Sequence, residues 1–110
     1  MTLGYCMELV DGIAPNGYDE SIKKRWIGEL DGRVRIELHD EAIEAVSEYD
    51  ASTSLNTQLA APVPFDQMYW MYLVAMLDLA NGDTARYLNS ASMFNTAFEN
   101  YSKWLIRRKR

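Results

Sequence analysis

The stretch Phe65–Asp83, FDQMYWMYLVAMLDLANGD, decides the fold. Phe65, Met68, Tyr69, Tyr72, Leu73, Met76, Leu77 and Ala80 recur at three- and four-residue steps, the period of a helix face. Trp70, Met71 and Val74 widen that face until the helix is apolar on most sides, and such a helix is buried on most sides. One neighbouring helix cannot supply that burial, so contact with another subunit is expected to add to it. Asn81-Gly82 stops the helix, because glycine readily takes the left-handed conformation past a C-terminus, and Asp83 caps the next one. So tight a turn makes the two helices an antiparallel hairpin.

The second arm carries Tyr87, Ala91, Phe94, Phe98, Tyr101 and Leu105 on one face. From Thr84 to Arg107 it would be about 36 Å long at about 1.5 Å per residue. Upstream, Pro62 and Pro64 separate the hairpin from a less regular region. Thr2 is the expected cap of a short first helix bearing Leu3, Met7 and Val10, closed by Gly12 and Pro15-Asn16-Gly17. Asp19 is the expected cap of a second helix, with Ile22, Trp26, Ile27, Leu30 and Val34 as its apolar stripe. Gly32 is a weak point where that helix kinks or runs on to about Leu38. Asp40 is expected to cap a short turn containing Ala42, Ile43 and Val46.

Asp50 to Thr57 is rich in Ser, Thr, Asn and Asp, which favour loops. Thr53, Leu55, Thr57 and Leu59 alternate with polar neighbours, as an extended segment would. No partner strand is evident in the chain, so the segment reads as a loop or as a strand that pairs with another subunit, the loop being preferred. The expectation is one domain over residues 1–110. It is all-α, a small bundle of about four helices with a long C-terminal antiparallel hairpin and an irregular loop at about 47–63.

Net charge is −5, from 11 basic and 16 acidic residues. Residues 1–64 hold twelve Asp/Glu against five Lys/Arg, while residues 65–110 hold four against six. An acidic balance disfavours unspecific binding to nucleic acid or anionic membrane. The apolar run Met68–Leu77 is shorter than the roughly 20 residues that cross a bilayer, so no membrane association is expected. Cys6 is the one cysteine, which fits a reducing compartment, and no secretion signal is visible.

No catalytic constellation emerges, so no enzyme activity, cofactor or metal is expected. His39 beside Asp40, Glu41 and Glu44 lacks zinc-motif spacing and reads as a surface polar run. Cys6 among Tyr5, Met7 and Leu9 reads as a small core hydrophobe. The glycines match no phosphate-binding loop. Aromatic residues crowd the last two helices with few basic residues among them, a pattern of cores and protein interfaces rather than nucleic-acid stacking.

Pro64-Phe65-Asp66, Tyr69, Tyr72-Leu73, Ala75-Met76, Asp78, Ala80-Asn81-Gly82-Asp83, Arg86-Tyr87, Asn89, Phe94-Asn95, Tyr101 and Trp104 form a familiar order. With Pro15-Asn16, Tyr18-Asp19, Trp26-Ile27 and Glu29-Leu30, they make nearly the whole chain resemble a family of small prophage proteins. These occur in the structural gene clusters of long-tailed bacteriophages of Gram-positive bacteria. The family is similar to head–tail connector proteins, also called head-completion or DNA-packaging adaptor proteins. The resemblance implies a ring of identical subunits in the virion neck, joining portal and tail-completion proteins, with DNA passing as cargo through the channel. It also implies assembly in the bacterial cytoplasm. Surfaces expected to mediate assembly are Thr53, Leu55, Thr57 and Leu59, then Trp70, Met71 and Val74, and the basic end Arg107, Arg108, Lys109 and Arg110. The alternative is a small helical DNA-binding or regulatory module encoded in a prophage, with Lys23, Lys24, Arg25, Arg33 and Arg35 facing the duplex.

Overall fold

The computed structural model of the chain describes residues 1–108; Lys109 and Arg110 lie outside the described residues. It is all-α, a bundle of four helices. Helix α1 spans Leu3–Ile13 and α2 spans Glu20–Arg33. Helix α3 spans Gln67–Ala80 and α4 spans Thr84–Arg108.

The caps follow the local chemistry. The Thr2 hydroxyl accepts a hydrogen bond from the Tyr5 amide at 3.1 Å, satisfying a first-turn donor of α1. Asp19 occupies the cap position of α2 without a side-chain bond. Gly32 does not break the path of α2, which continues through a π-helical turn, Val34–Leu38. A short 3₁₀ turn, Ile43–Ala45, follows with Ala42 rather than Asp40 at its cap position. Asp40 lies at φ 57°, in the left-handed region, where the chain leaves the π turn. Between α3 and α4, Gly82 takes φ 73° and Asp83 accepts from the Arg86 amide at 3.1 Å. The hairpin therefore forms as its turn chemistry dictates.

Helix α3 packs most extensively on α4 and also touches α1 and α2. Met68, Tyr69, Leu73, Ala75 and Leu77 are buried, and Trp70, Met71, Tyr72 and Val74 pack partly buried against the same core. Three helices of its own chain thus cover most of α3, so its apolar breadth does not by itself require another subunit. Leu79, 50 % exposed, is the main apolar residue left over.

The irregular segment between Val46 and Asp66 is tied down from three sides. The amides of Leu3 and Gly4 donate to the carbonyls of Thr57 and Leu55, each at 2.9 Å, and the Leu59 amide donates to Met1 at 3.0 Å. An isolated antiparallel bridge joins Thr2 and Gln58. This corrects the expectation of a segment without a partner in the chain, because the partner is the chain's own first residues. From α2, Lys24 Nζ donates to the carbonyls of Thr53 at 2.7 Å and Ala51 at 3.1 Å. These bonds explain how a lysine lies only 4 % exposed, since each buried ammonium proton needs an acceptor.

Candidate assembly surface

At the centre of the fold is a polar cluster built around Asp31. Its position, four residues after Ile27 and three before Val34, places a carboxylate in the apolar stripe of α2. Asp31 is fully buried. Oδ1 accepts from the Tyr69 hydroxyl at 2.7 Å and the Ala60 amide at 2.9 Å. Oδ2 accepts from the Tyr49 hydroxyl at 2.5 Å and Arg35 Nε at 3.2 Å. Tyr69 in turn accepts from the Ala61 amide at 2.9 Å. One carboxylate thus joins α2, α3 and both ends of the irregular segment. Burial, then the Asp31 charge, push the Tyr69 hydroxyl well above the ordinary tyrosine pKa. Burial, reinforced by the bond to Asp31, does the same at Tyr49. Burial works against the Arg35 charge, but the neighbouring carboxylate outweighs it and holds its pKa above the ordinary value. These bonds make the cluster a structural tie between α2, α3 and the irregular segment.

The residues expected to mediate assembly are not brought together. Leu59 is 2 % exposed and belongs to the core, so its side chain is unavailable to a neighbour. The carbonyls of Thr53, Leu55 and Thr57 are engaged by Lys24 and the N-terminal segment, and only Leu55 presents an apolar side chain, 45 % exposed. Trp70 is partly buried, with its indole N–H donating to Gln67 at 2.7 Å. Val74 is likewise partly buried on the core. Met71 borders an open depression on α4 with Asn89, Met93 and Thr96. At the basic end, the Arg108 guanidinium sits 5.0 Å from the Trp104 ring centroid and Arg107 Nε donates to the Lys103 carbonyl at 3.4 Å. Lys109 and Arg110, named with them, lie outside the described residues.

His39 closes the π turn against α4, its Nε2 lying 2.6 Å from the Tyr101 hydroxyl. Cys6 is fully buried, and desolvation pushes its thiol up to about 12. Among the described residues no group of three or more His, Cys, Asp and Glu is arranged to hold a metal ion. No helix of the described residues is long and apolar enough to cross a membrane. The duplex-facing cations of the alternative reading are partly consumed: Lys23 is 6 % exposed and paired with Asp11 at 3.0 Å, and Lys24 is buried as described.

Two surface features escaped the sequence reading. The outward face of α4 carries Asn89, Ser92, Asn95, Thr96 and Asn100, all exposed, and Glu99 is the one charged residue between Arg86 and Lys103. Leu88 and Met93, 65 % and 50 % exposed, border it. The low charge of this run was readable, but the side facing out was not until the packing of Phe94 and Tyr101 fixed it. The second feature is an open, mainly apolar groove of about 290 Å³ between α2 and the segment Val46–Tyr49. Gly28 creates room there, since a Cβ on it would lie 2.7 Å from the Tyr49 ring. Compared with known proteins, the chain matches no family model, no curated protein and no solved structure.

Proposed function

We propose that this chain is a structural subunit of virion assembly, a head–tail connector or adaptor that joins portal and tail and contributes to a ring through which DNA passes. The observation that carries the protein-binding part is the outward face of α4 from Asn89 to Asn100, about 17 Å of helix at about 1.5 Å per residue, with amide and hydroxyl side chains and Glu99 as its one charge. Solvent-facing helices normally carry charged residues on their outer side, whereas the centres of protein interfaces are depleted of them. The head–tail assignment rests on the resemblance that spans nearly the whole chain. The acidic balance agrees with it, because a channel that must release DNA is poorly served by a strongly basic wall.

The test is co-expression with a portal protein of a long-tailed phage, followed by particle imaging and mass determination of the isolated chain and of the mixture. Rings or a stoichiometric complex with the portal are expected. A chain that stays monomeric in both conditions would refute the reading.

A further inference from the structure

The groove beside α2 has an unfilled apolar interior and an acidic border, and the far end of α4 has the opposite character. Gly28, Gly32, Ile36, Val46 and Tyr49 line the groove. Of its charged lining residues, Arg25 pairs with Glu29 at 3.8 Å and Arg33 with Glu37 at 2.8 Å, while Glu48 has no ion pair among the described residues. Glu44, exposed in the 3₁₀ turn just before Val46–Tyr49, also has no ion pair among the described residues. From Glu37 to Asp50 the chain carries six acidic residues and no basic one.

At the end of α4, Ile106 is 57 % exposed. Lys103, three residues before Ile106 and four before Arg107, is the helix-surface neighbour of both, so the three form one patch with Lys103 in the middle. Lys103 and Arg107 are exposed, and neither forms an ion pair among the described residues. An apolar side chain beside two cations without ion pairs thus matches an apolar groove lined by Glu48 and continued by the acidic run that holds Glu44.

We propose that this groove receives the Lys103–Arg107 face of α4 from a second copy of the chain, with Ile106 in the groove and Lys103 and Arg107 against Glu44 and Glu48. The contact gives the subunit a copy-to-copy surface separate from the outward face of α4, which is left for other partners. It rests on the assembly reading above and names the surface by which copies meet. Electrostatic attraction of this kind fixes partner and register, and it weakens with salt.

Two double variants test it, Glu44→Lys with Glu48→Lys and Lys103→Glu with Arg107→Glu, each in the full chain and each checked for unchanged helicity. Sedimentation is measured at about 0.1 M and about 1 M salt, between which the screening length falls from about 10 Å to about 3 Å. The unaltered chain is expected to self-associate at the lower salt and to dissociate at the higher. Each variant alone faces like charge with like and should associate at least roughly tenfold more weakly. Mixing the two variants restores opposite charges across the contact and should restore association. A monomeric unaltered chain, variants that associate as it does, or a mixture that stays dissociated would each overturn the proposal. A chain that self-associates in this way but ignores the portal leaves the contact standing and removes the head–tail assignment. Portal binding with no effect of the charge swap does the reverse.

Discussion

Asp31 offers a direct perturbation of the fold, because asparagine has the same shape and lacks the charge. With its carbonyl oxygen turned toward the Ala60 amide and the Tyr69 hydroxyl, an asparagine there would keep two of four bonds, each weakened by loss of the negative charge. Its amino group would then face Tyr49, whose hydroxyl must reverse to accept, and Arg35, which can only repel it. Arg35 is 30 % exposed at its side chain and already reaches Glu41 at 3.5 Å, so its loss is partly recovered. Two weakened bonds, one reversed and one broken add to about 2–3 kcal/mol, taking about 1.5–3 kcal/mol for a full charged hydrogen bond. Asp31→Ala removes every acceptor and should cost about 4–5 kcal/mol, near the upper figure for breaking a buried pair. Against a total stability of about 5–15 kcal/mol, the alanine variant approaches the unfolding threshold at room temperature. Urea unfolding followed by circular dichroism measures this as a lower midpoint at unchanged slope. An Asp31→Asn stability within about 0.5 kcal/mol of the unaltered chain, the usual scatter of a surface substitution, would refute the assignment of Asp31 as the tie.

Three further outcomes follow from the packing. Gly28→Ala places a methyl group 2.7 Å from the Tyr49 ring and should destabilise by about 1–3 kcal/mol, whereas Gly32→Ala meets only Val46 at 3.4 Å and should be neutral or stabilise by up to about 1 kcal/mol; equal effects in thermal melts would contradict the close approach at Gly28. Leu59→Ala should cost about 2–5 kcal/mol, a core effect from a residue in an irregular segment, and a denaturation midpoint unchanged from the parent would place it at the surface instead. The Cys6 thiol, raised from 9.0 to about 12 by burial, is protonated in the folded chain at pH values where the unfolded thiol ionises. Its contribution is therefore full below pH 9 and lost as pH rises toward about 12, so Cys6→Ala should flatten the alkaline fall in stability, and an identical slope would refute it.

Much of the helical framework was legible because its determinants are local. The stripe on α3, the Asn81-Gly82-Asp83 stop and the Thr2 cap each involve residues within one or two turns of one another. What was not legible depends on partners far along the chain. Lys23 and Lys24 enter the alternative reading as cations facing a duplex, since nothing in their neighbourhood reveals the carbonyls of Ala51 and Thr53 that bury Lys24. The preferred loop at Thr53–Leu59 is what forms, with one isolated bridge at Gln58, but the stretch that holds it, Met1–Gly4, reads only as a helix start. Asp31 carried a signal that went unread, an acid inside an apolar stripe, and its three uncharged donors come from segments 18, 29 and 38 residues away. The uncharged side of α4 became a surface only when the packing of the opposite side fixed its orientation.

The tie at Asp31 also changes what the irregular segment is in time. Loops without regular secondary structure are ordinarily the first parts of a protein to open, with amides that exchange with solvent through small local fluctuations. Here the Ala60 amide is bound to a buried carboxylate and the Leu59 amide to the Met1 carbonyl, while Leu59 itself lies in the core. Releasing these amides means lifting the segment off a buried carboxylate of α2 and off Met1 and drawing Leu59 out of the core. Leu59 and Ala60 should therefore exchange as slowly as the helices they join, and this end of the segment belongs to the cooperative unit although it has neither helix nor sheet.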